Sequence, residues 1–397
     1  METVFTIAWN TQFLAAIRPK SAIDGQYLFH LLRTPEVQRE LRKGSSQTVN
    51  IANISAKALS AISVPVAPCP EQHRISAKLD ALLAKIDACR ERLDRVPQIL
   101  RKFREAVLEA AVSGRLTEEW RSNSGIKSNA IDEIRKIGHG KLNWVKSSGS
   151  HNEAGRVKSR ASQFSAESLT SRGLPDSWVW APIEDACLLV VDCHNKTAPY
   201  SPTGVPLVRT SNIRDGQIVW NEMRYVDAPT YQYWSRRCPP EPGDIVFTRE
   251  APIAESALIP DRLTLCLGQR TMLFRTLPGL TDPRFLLLTL QDTGFRRRAM
   301  EAAVGTGVKH LRVGDVGELR IPLAPLNEQR EIVRRCDELF ALADNLQRRY
   351  SGVVAQAAKL TPSILAKAFR GQLVPQDPND EAAGEMMERI KRRKVSA

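Results

Sequence analysis

The chain repeats itself, and this internal repeat constrains its fold more than any other feature. The segment Val64–Pro68 recurs in similar form at Ile321–Pro325, at an offset of 257 residues. The same offset carries Glu71-Gln72 onto Glu328-Gln329 and holds without a gap for about fifty residues. A register of this length indicates two copies of one structural unit.

The two copies are unequal in extent. The first copy begins near residue 1, yet its start matches the middle of the second copy. Ahead of that point the second copy has about 85 residues, from Leu174 to about Leu258, that have no counterpart in the first. We therefore expect the first copy to be part of a larger domain. A truncated gene, a mis-assigned start and a subunit divided between two chains are all compatible with this pattern.

Each copy ends in a pattern typical of a long helix. Apolar residues follow one another at alternating steps of four and three, which is a heptad seam. The seam residues are Ile75, Leu79, Leu82, Ile86 and Leu93 in the first copy, and Ile332, Leu339 and Leu346 in the second. Two such helices in one chain favour an antiparallel coiled coil that separates two globular domains. Packing of each helix on its own domain is the alternative.

Proline and glycine mark the limits of these helices. Pro97 and Pro362 should kink or break the first and the second helix, because proline lacks the backbone N–H of the helical ladder. Gly114 and Gly371 stand where glycine commonly ends a helix in a left-handed conformation. Both pairs lie late in their copies, and Gly114 and Gly371 share the offset of 257 residues.

Composition then divides the chain into five parts. We expect a partial first domain at 1–69, a first helical spacer at 70–120, a linker at 121–172, a second domain at 173–325, and a second spacer with a tail at 326–397. Residues 121–172 are rich in Ser, Gly, Asn and Lys and hold ten Lys and Arg against four Asp and Glu, so we predict a flexible basic coil. Short β-rich runs separated by Gly and Pro turns predict an α+β fold for the second domain.

The charge favours a polyanionic partner. The chain carries 57 Lys and Arg against 44 Asp and Glu, a formal net charge of +13, which suits nucleic acid before an anionic membrane. The linker holds nearly half of this excess, so the net charge alone does not establish a folded basic groove. Without a signal peptide or a long apolar run, we expect a cytoplasmic chain, away from the membrane, with reduced thiols.

Motifs of catalysis are not found in the sequence. It contains no GxxxxGK[ST] phosphate loop, no GxGxxG after a strand, no GxSxG and no HExxH, and no Asn-Pro-Pro-aromatic motif of adenine methyltransferases. Cys187, Cys193 and His194 lie close in sequence, but no second ligand pair follows at zinc-finger spacing. We therefore predict no catalytic residue, no metal site and no cofactor in this chain.

Polar loops in the second domain suit contacts to DNA. Hydroxyl, amide and cationic side chains are those that bind phosphates and base edges. The candidate DNA-binding residues are Arg209, Thr210, Ser211, Asn212, Arg249, Gln269, Arg270, Thr306, Lys309 and His310. Taken singly, each loop is also compatible with an ordinary surface turn.

The order of these motifs resembles the DNA-specificity subunits of type I restriction–modification enzymes. The segments that carry the resemblance are Gly173–Trp178, Val208–Ile213, Gly243–Arg249, Gly268-Gln269, Gly305–His310, Ile321–Arg330 and Ala368–Leu373, together with Ala111–Leu116, which matches Ala368–Leu373 in the first copy. The resemblance covers nearly the whole chain. The absent counterpart of residues 174 to about 258 is its departure from the family pattern.

The resemblance implies a function without chemistry in this chain. In such a family, two mixed α/β target-recognition domains are joined by two long antiparallel helices and read the two halves of a split sequence in double-stranded DNA. Two modification subunits that use S-adenosylmethionine, and motor subunits that use ATP and Mg to cut DNA, are the partners it implies. Two other functions stay open: a nuclease or methyltransferase with an unrecognised site, and a coiled-coil scaffold that binds the modification subunits without specific DNA recognition.

Overall fold

A computed structural model describes residues 5–11, 14–19, 23–48, 51–125, 128–148 and 170–395. The chain divides into two compact units. The first is built from two separate stretches of sequence, and the second from one continuous stretch. Unit 1 comprises residues 1–99 with 345–397, and unit 2 comprises residues 100–344. In the described part of the chain, no helix is both long and apolar enough to cross a membrane.

Unit 1 begins with two hairpins and several short helices before its long helix. These elements are β1 (Phe5–Thr11), β2 (Leu14–Pro19), α1 (Gly25–Leu32), α2 (Pro35–Lys43), β3 (Ser45–Thr48), β4 (Ile51–Ile54), α3 (Ala56–Ser60) and α4 (Cys69–Asp94). β1 pairs with β2 and β3 with β4, both antiparallel. The side chains of Asp24, Thr34 and Ser55 accept a backbone N–H at the start of α1, α2 and α3, as N-cap residues do.

The core of unit 1 joins α1 to two long helices. Tyr27, Leu28 and Leu31 of α1 are buried with Ile75 and Leu79 of α4. Leu365 and Ala368, near the end of the second long helix, complete this cluster. The sequence brings these residues together because each belongs to an apolar face of helical spacing.

Unit 2 contains the larger set of strands. After α5 (Val96–Val112), its elements are α6 (Glu118–Asn123), α7 (Ala130–Ser148), β5 (Val179–Pro182), α8 (Ile183–Ala186), β6 (Leu189–Asp192), β7 (Val205–Val208), β8 (Ile213–Arg214), β9 (Gln217–Ile218), β10 (Arg224–Val226), α9 (Ala228–Trp234), β11 (Ile245–Arg249), β12 (Ile253–Leu258), β13 (Cys266–Leu267), β14 (Thr271–Arg275), α10 (Pro283–Gln291), α11 (Thr293–Ala302), α12 (Val313–Glu318) and β15 (Arg320–Leu323). Two last helices follow in the chain. The first is α13 (Leu326–Ala368), which belongs to unit 2 up to residue 344 and to unit 1 from residue 345, and the second is α14 (Ala383–Val395), which belongs to unit 1.

Two small sheets form the frame of unit 2. The first has the order β12-β11-β14-β6 and is antiparallel throughout. In the second, of order β10-β7-β13, β7 is antiparallel to β10 and parallel to β13. Phe247 and Phe274 stack with their ring centroids 5.2 Å apart, and Phe295 of α11 meets Phe247 edge-on. Strands and helices thus share one core, which confirms the predicted α+β class.

The predicted linker at 121–172 is wrong over much of its length. α7 is a helix, and its residues Ala130, Ile134 and Ile137 are at most 1% exposed in unit 2. Their steps of four and three place them on one helical face. Asn129 accepts the backbone N–H of Ile131 at the start of this helix. Residues 149–169 lie outside the described part, so the prediction of a flexible coil is untested there.

In each unit, a helix of the first copy runs antiparallel to α13. This helix is α4 in unit 1 and α5 in unit 2. In unit 1, Arg90 of α4 donates to the hydroxyl of Thr361 on α13 at 3.2 Å, whereas the beginning of α4 shares its core with Ala368. In unit 2, Arg104 of α5 bonds Asp344 at 2.6 Å, and the later carbonyl of Leu116 accepts from Arg335 at 2.9 Å. Residue numbers therefore increase along one helix where they decrease along its partner, which is the predicted antiparallel arrangement.

The heptad seam is only partly buried. Ile75, Leu79, Ile86 and Ile332 are buried, and Leu82, Leu93 and Leu339 are half-buried. Leu346 is 44% exposed, so its predicted place in the seam is wrong. Leu83 is buried on α4 next to Leu82, because the face that packs drifts slightly from a strict heptad along a straight helix.

The helix limits follow the predictions with one exception. α4 ends at Asp94, and α5 begins at Val96 with Pro97 in its first turn, where the missing N–H is not needed. Gly114 and Gly371 have φ of +78° and +70° and lie just beyond the ends of α5 and α13. α13, however, continues through Pro362 without ending.

The internal repeat is visible in the hydrogen bonds. In unit 1 the buried Gln72 accepts the backbone N–H of Asp24 and donates to Ala67 O, at 2.8 and 2.7 Å. In unit 2 the buried Gln329 accepts from Asp282 and donates to Ala324 O at the same two distances. Asp24 and Asp282 each cap the helix that follows, α1 and α10. The two copies are therefore the same substructure.

Candidate nucleic-acid interface

Four loops of unit 2 meet at one edge of its two sheets. They are residues 209–212 after β7, 249–250 at the end of β11, 268–270 between β13 and β14, and 304–310 before α12. The N–H of Gly268 bonds Val208 O at 2.8 Å, and the N–H of Arg249 bonds Arg270 O at 2.9 Å. We call these four loops together the loop edge. It contains all ten residues that the sequence singled out.

The first loop is closed by its own side chains. Arg209 donates from Nε to Asn212 Oδ1 at 3.3 Å and from its terminal nitrogen to Glu222 O at 2.8 Å. Gly268 lies so close that a Cβ there would be 3.1 Å from Val208 O, which explains a glycine at this position. Thr210 is half-buried and Ser211 is exposed. Arg209 therefore holds the loop, and its direct contact with DNA stays a prediction.

Asn212 is predicted to bind DNA, but in this structure its side chain is used within the protein. Its side chain is 1% exposed. The amide nitrogen donates to Val219 O and Asn221 O at 3.1 and 3.2 Å, and the amide oxygen accepts the N–H of Arg209 at 3.2 Å. Both ends of the amide are thus used within the protein. Asn212 positions the loop and leaves Ser211 at the surface.

The last loop is a short hairpin that Arg249 fastens to β11. Val304 and His310 exchange two backbone hydrogen bonds of 2.9 Å, so residues 305–309 form its tip. Arg249 donates from its guanidinium to Leu311 O at 2.8 Å. Thr306 and Lys309 are exposed on the tip, and His310 is half-buried at its base. Arg249 is again a positioning residue in this structure.

Arg270 stands in the middle of the loop edge. It is exposed and has a φ of +69°, a conformation that residues other than glycine adopt at a cost and often at functional positions. Its guanidinium pairs with Glu250 at 2.6 Å, and Glu250 forms a β-bridge with His310. Gln269 beside it is half-buried. Arg270 therefore connects the second, third and fourth loops.

An aromatic and basic cluster adjoins the loop edge, and our sequence reasoning missed it. Cys193 donates from its thiol to Gly268 O at 2.7 Å, which places the next residue, His194, beside the edge. His194 packs edge-on against Tyr233 and Trp234, and the Arg236 guanidinium lies 3.8 Å from the Tyr233 ring centroid. The segment Tyr231–Arg237, with its three aromatic residues and two arginines, was the available signal.

Electrostatics of this cluster favour an anion. The pKa of His194 is lowered, first by burial and then by the positive charges of Arg236, Lys196 and Arg237. A neutral imidazole at neutral pH follows. Of the neighbouring cations, Arg236 lies over the Tyr233 ring, and Arg237 pairs with Asp192 at 2.6 Å. Base–aromatic stacking and phosphate pairing are the contacts that such a mixture makes with nucleic acids.

Two cysteines of unit 2 have a raised pKa. Burial raises the pKa of the Cys187 thiol to about 12, and burial also raises the pKa of Cys193. Within the described ranges, no group of three His, Cys, Asp or Glu is placed to hold a metal ion.

Known proteins are similar to this chain in sequence and in fold. The model of the type I restriction modification DNA specificity domain matches residues 4–98 and 204–353. The EcoKI specificity subunit of Escherichia coli strain K12 is 28% identical over 408 residues, which cover 97% of this chain and 75% of that protein. The EcoDI specificity subunit of Escherichia coli is 28% identical over 393 residues, covering 94% of this chain and 78% of the other.

The fold has a counterpart among solved structures. The HsdS subunit from Thermoanaerobacter tengcongensis superimposes with a TM-score of 0.53 at 19% identity, over 90% of this chain and 73% of that subunit. The family model matches more than half of the sequence and includes parts of both copies of the repeat. The chain therefore belongs to the family of type I restriction–modification DNA-specificity subunits.

Proposed function

We propose that this specificity subunit reads DNA through the loop edge of unit 2. The single observation that carries the proposal is the convergence of four loops, distant in sequence, on one edge through backbone hydrogen bonds. Buried or half-buried side chains hold these loops, and Ser211, Arg270, Thr306 and Lys309 are exposed on them. Rigid loops that present donors are what direct readout of bases and phosphates requires.

The aromatic and basic cluster extends this surface. Arg236 and Arg237 are exposed beside Tyr233. Cations bind the phosphate backbone without regard to sequence, whereas polar loop residues discriminate between bases. We assign the first task to the cluster and the second to the loop edge. In a split target, unit 2 then reads one half.

Methylation and cleavage belong to partner subunits in this proposal. The subunit supplies recognition, and S-adenosylmethionine, ATP and Mg act on the modification and motor subunits. Helix α13 offers a surface for such partners in unit 1. Leu346, Val353 and Leu360 follow one another at seven-residue steps on one face and are 44%, 46% and 47% exposed. We call these three residues the apolar stripe, and propose that it binds a modification subunit.

The target sequence comes first in the experimental test. A single-molecule methylome is recorded from a host that carries this gene with its modification gene, and from a host lacking this gene alone. Loss of one bipartite adenine motif identifies the target. The DNA affinity of the assembled complex is then measured by fluorescence anisotropy for the wild type, for Lys309→Ala, and for Lys359→Ala as a control on an exposed helical position.

Lys309→Ala should weaken binding by about 1 kcal/mol, roughly fivefold in Kd, and lower the salt slope by about one phosphate contact. Lys359→Ala, which removes the same charge from α13, should bind as the wild type does. Equal losses in both variants would reduce the effect to net charge. A complex that holds its modification subunits but binds all DNA sequences alike would favour the scaffold alternative.

A further inference from the structure

A turn next to the first loop of the loop edge carries an exposed tryptophan. Trp220 is 48% exposed, and Val219 before it is 37% exposed. A single apolar side chain at a protein surface is common, but tryptophan offers a large apolar area to an interface and can hydrogen-bond through its N–H. What distinguishes Trp220 is the set of hydrogen bonds that fixes the backbone beneath it.

The hairpin that leads into this turn is anchored in the core of unit 2. Ile213 of β8 and Ile218 of β9 are buried in one hydrophobic cluster. Between the two strands, Gly216 forms a β-bridge with Ala257 of β12. The chain therefore reaches Val219 from a fixed hairpin.

One buried amide then holds carbonyl groups on either side of Trp220. Asn212 Nδ2 donates to Val219 O at 3.1 Å and to Asn221 O at 3.2 Å. The backbone N–H of Val219 donates in return to Asn212 O at 2.8 Å. Asn212 is 1% exposed, and hydrogen bonds shielded from water in this way are stronger than exposed ones. The turn is thus attached directly to residues 209–212 of the loop edge.

Further hydrogen bonds close the turn after the tryptophan. The backbone N–H of Met223 donates to Trp220 O at 3.3 Å, and the Arg209 guanidinium donates to Glu222 O at 2.8 Å. Glu222 has a φ of +53°, a left-handed conformation that a residue other than glycine keeps only where its surroundings enforce it. The indole therefore stands on a rigid backbone, and binding through it requires little further ordering of the chain.

Cationic side chains flank the turn. Arg214 is exposed, and its guanidinium donates to Thr210 O at 2.9 Å, within the first loop of the loop edge. Arg224 is exposed directly after the turn. From residue 209 to residue 224 the chain holds three arginines and two carboxylates. An exposed aromatic ring among cations is typical of surfaces that bind nucleic acid, because bases offer flat faces for stacking beside the charged backbone.

We propose that the Trp220 ring makes an apolar contact with double-stranded DNA beside the bases that residues 209–212 face. Asn212 and Arg209 are then positioning residues that hold the ring and the first loop in one rigid piece, which gives the inward-turned amide of Asn212 a task. The inference rests on the proposed reading of DNA by the loop edge. It adds to that function a contact that carries no charge and therefore does not depend on phosphate.

The test measures the DNA affinity of the assembled complex by fluorescence anisotropy, on the target sequence that the methylome identifies. Trp220→Ala should raise the Kd roughly tenfold, because alanine removes the contact of one aromatic ring. The slope of log Kd against log salt should stay as in the wild type, since no phosphate contact is lost. Trp220→Phe keeps a ring and should bind nearly as the wild type does. Leu342→Ala, which removes a 52% exposed apolar side chain from α13 within unit 2, is the control and should bind normally.

Lys309→Ala distinguishes a failure of this inference from a failure of the proposed function. If Lys309→Ala weakens binding and Trp220→Ala does not, the loop edge reads DNA and the inference is overturned; if neither variant weakens binding, both are overturned. A clear fall in the melting temperature of Trp220→Ala would also overturn the inference, because the ring would then belong to the fold. So would loss of the modification subunit from Trp220→Ala in the absence of DNA, which would assign the ring to a protein contact.

Discussion

At the scale of single residues, the beginning of α13 carries a strong charge network. Glu331 is 13% exposed and accepts hydrogen bonds from Arg334 at 2.8 Å and from Arg335 at 2.6 Å. Hydrogen bonds from Arg334 come first among the causes that lower the pKa of Glu331 to about 2; desolvation opposes them, and Arg335 adds to them. A carboxyl with a lowered pKa stabilises the fold above its unfolded pKa and loses this contribution as the pH falls.

The unfolding free energy should therefore decrease between about pH 4.5 and pH 2 partly through Glu331. We expect Glu331→Gln to remove about 1–2 kcal/mol of this decrease, since Arg334 is half exposed and solvent screens the pair. Urea unfolding at several pH values, followed by tryptophan fluorescence, measures the effect. Glu338→Gln is the matched control, because Glu338 also bonds Arg334 but is 65% exposed. Identical pH profiles for Glu331→Gln and the wild type would contradict the assignment.

Residue types in the loops singled out residues that gather at the loop edge, but they did not predict the contacts that each side chain makes. The sequence gathered Arg209, Asn212 and Arg249 among the DNA contacts because their side chains can donate. The structure turns the amide of Asn212 inward, and both arginines donate to backbone carbonyls. A donor serves a loop or a ligand according to which acceptors lie within reach after folding, and this depends on distant residues such as Glu222 and Leu311.

At the scale of elements, the repeat and the heptads predicted the long helices, and α7 escaped notice. The apolar face of α7 is defined by only three residues, Ala130, Ile134 and Ile137. The Ser, Gly and Lys residues around them made the segment resemble a linker. Burial along α13 was equally hard to predict. A heptad pattern tells which residues share a face, but Ile332 is buried and Leu346 is exposed according to what packs against each turn.

The apolar stripe on α13 yields a prediction about a partner subunit. The double variant Leu346→Gln with Val353→Gln keeps good helix formers and removes two exposed apolar anchors. We expect its affinity for the modification subunit to decrease at least roughly tenfold, with unchanged helix content by circular dichroism. Arg348→Gln, on another face of the same helix, should leave the affinity unchanged. Full retention of the modification subunit by the double variant would remove the stripe from the interface.

At the scale of the whole molecule, one substructure is used twice in different surroundings. Gln72 and Gln329 make the same pair of hydrogen bonds to a helix cap and to a preceding carbonyl. Around this common part, unit 2 adds the sheets and the loop edge, and unit 1 leaves Glu71 beside an open cavity. The duplication could be predicted from the sequence because the long helix and the glutamine near its start keep the same offset of 257 residues. The cavity could not, because it depends on which segments fill the space.

The hydrogen bonds that Gln72 and Gln329 make in their own units allow a test of how far the two units fold independently. Gln72→Ala removes a buried amide and leaves the N–H of Asp24 and the carbonyl of Ala67 unsatisfied, at a cost of about 2–3 kcal/mol. Hydrogen exchange should then accelerate at residues 24–32, in α1, with little change at residues 282–291. Gln329→Ala should produce the reverse. Because each substitution removes the corresponding pair of hydrogen bonds in its own unit, each variant is the control for the other. Acceleration in both regions by either substitution would mean that the two units unfold as one cooperative structure.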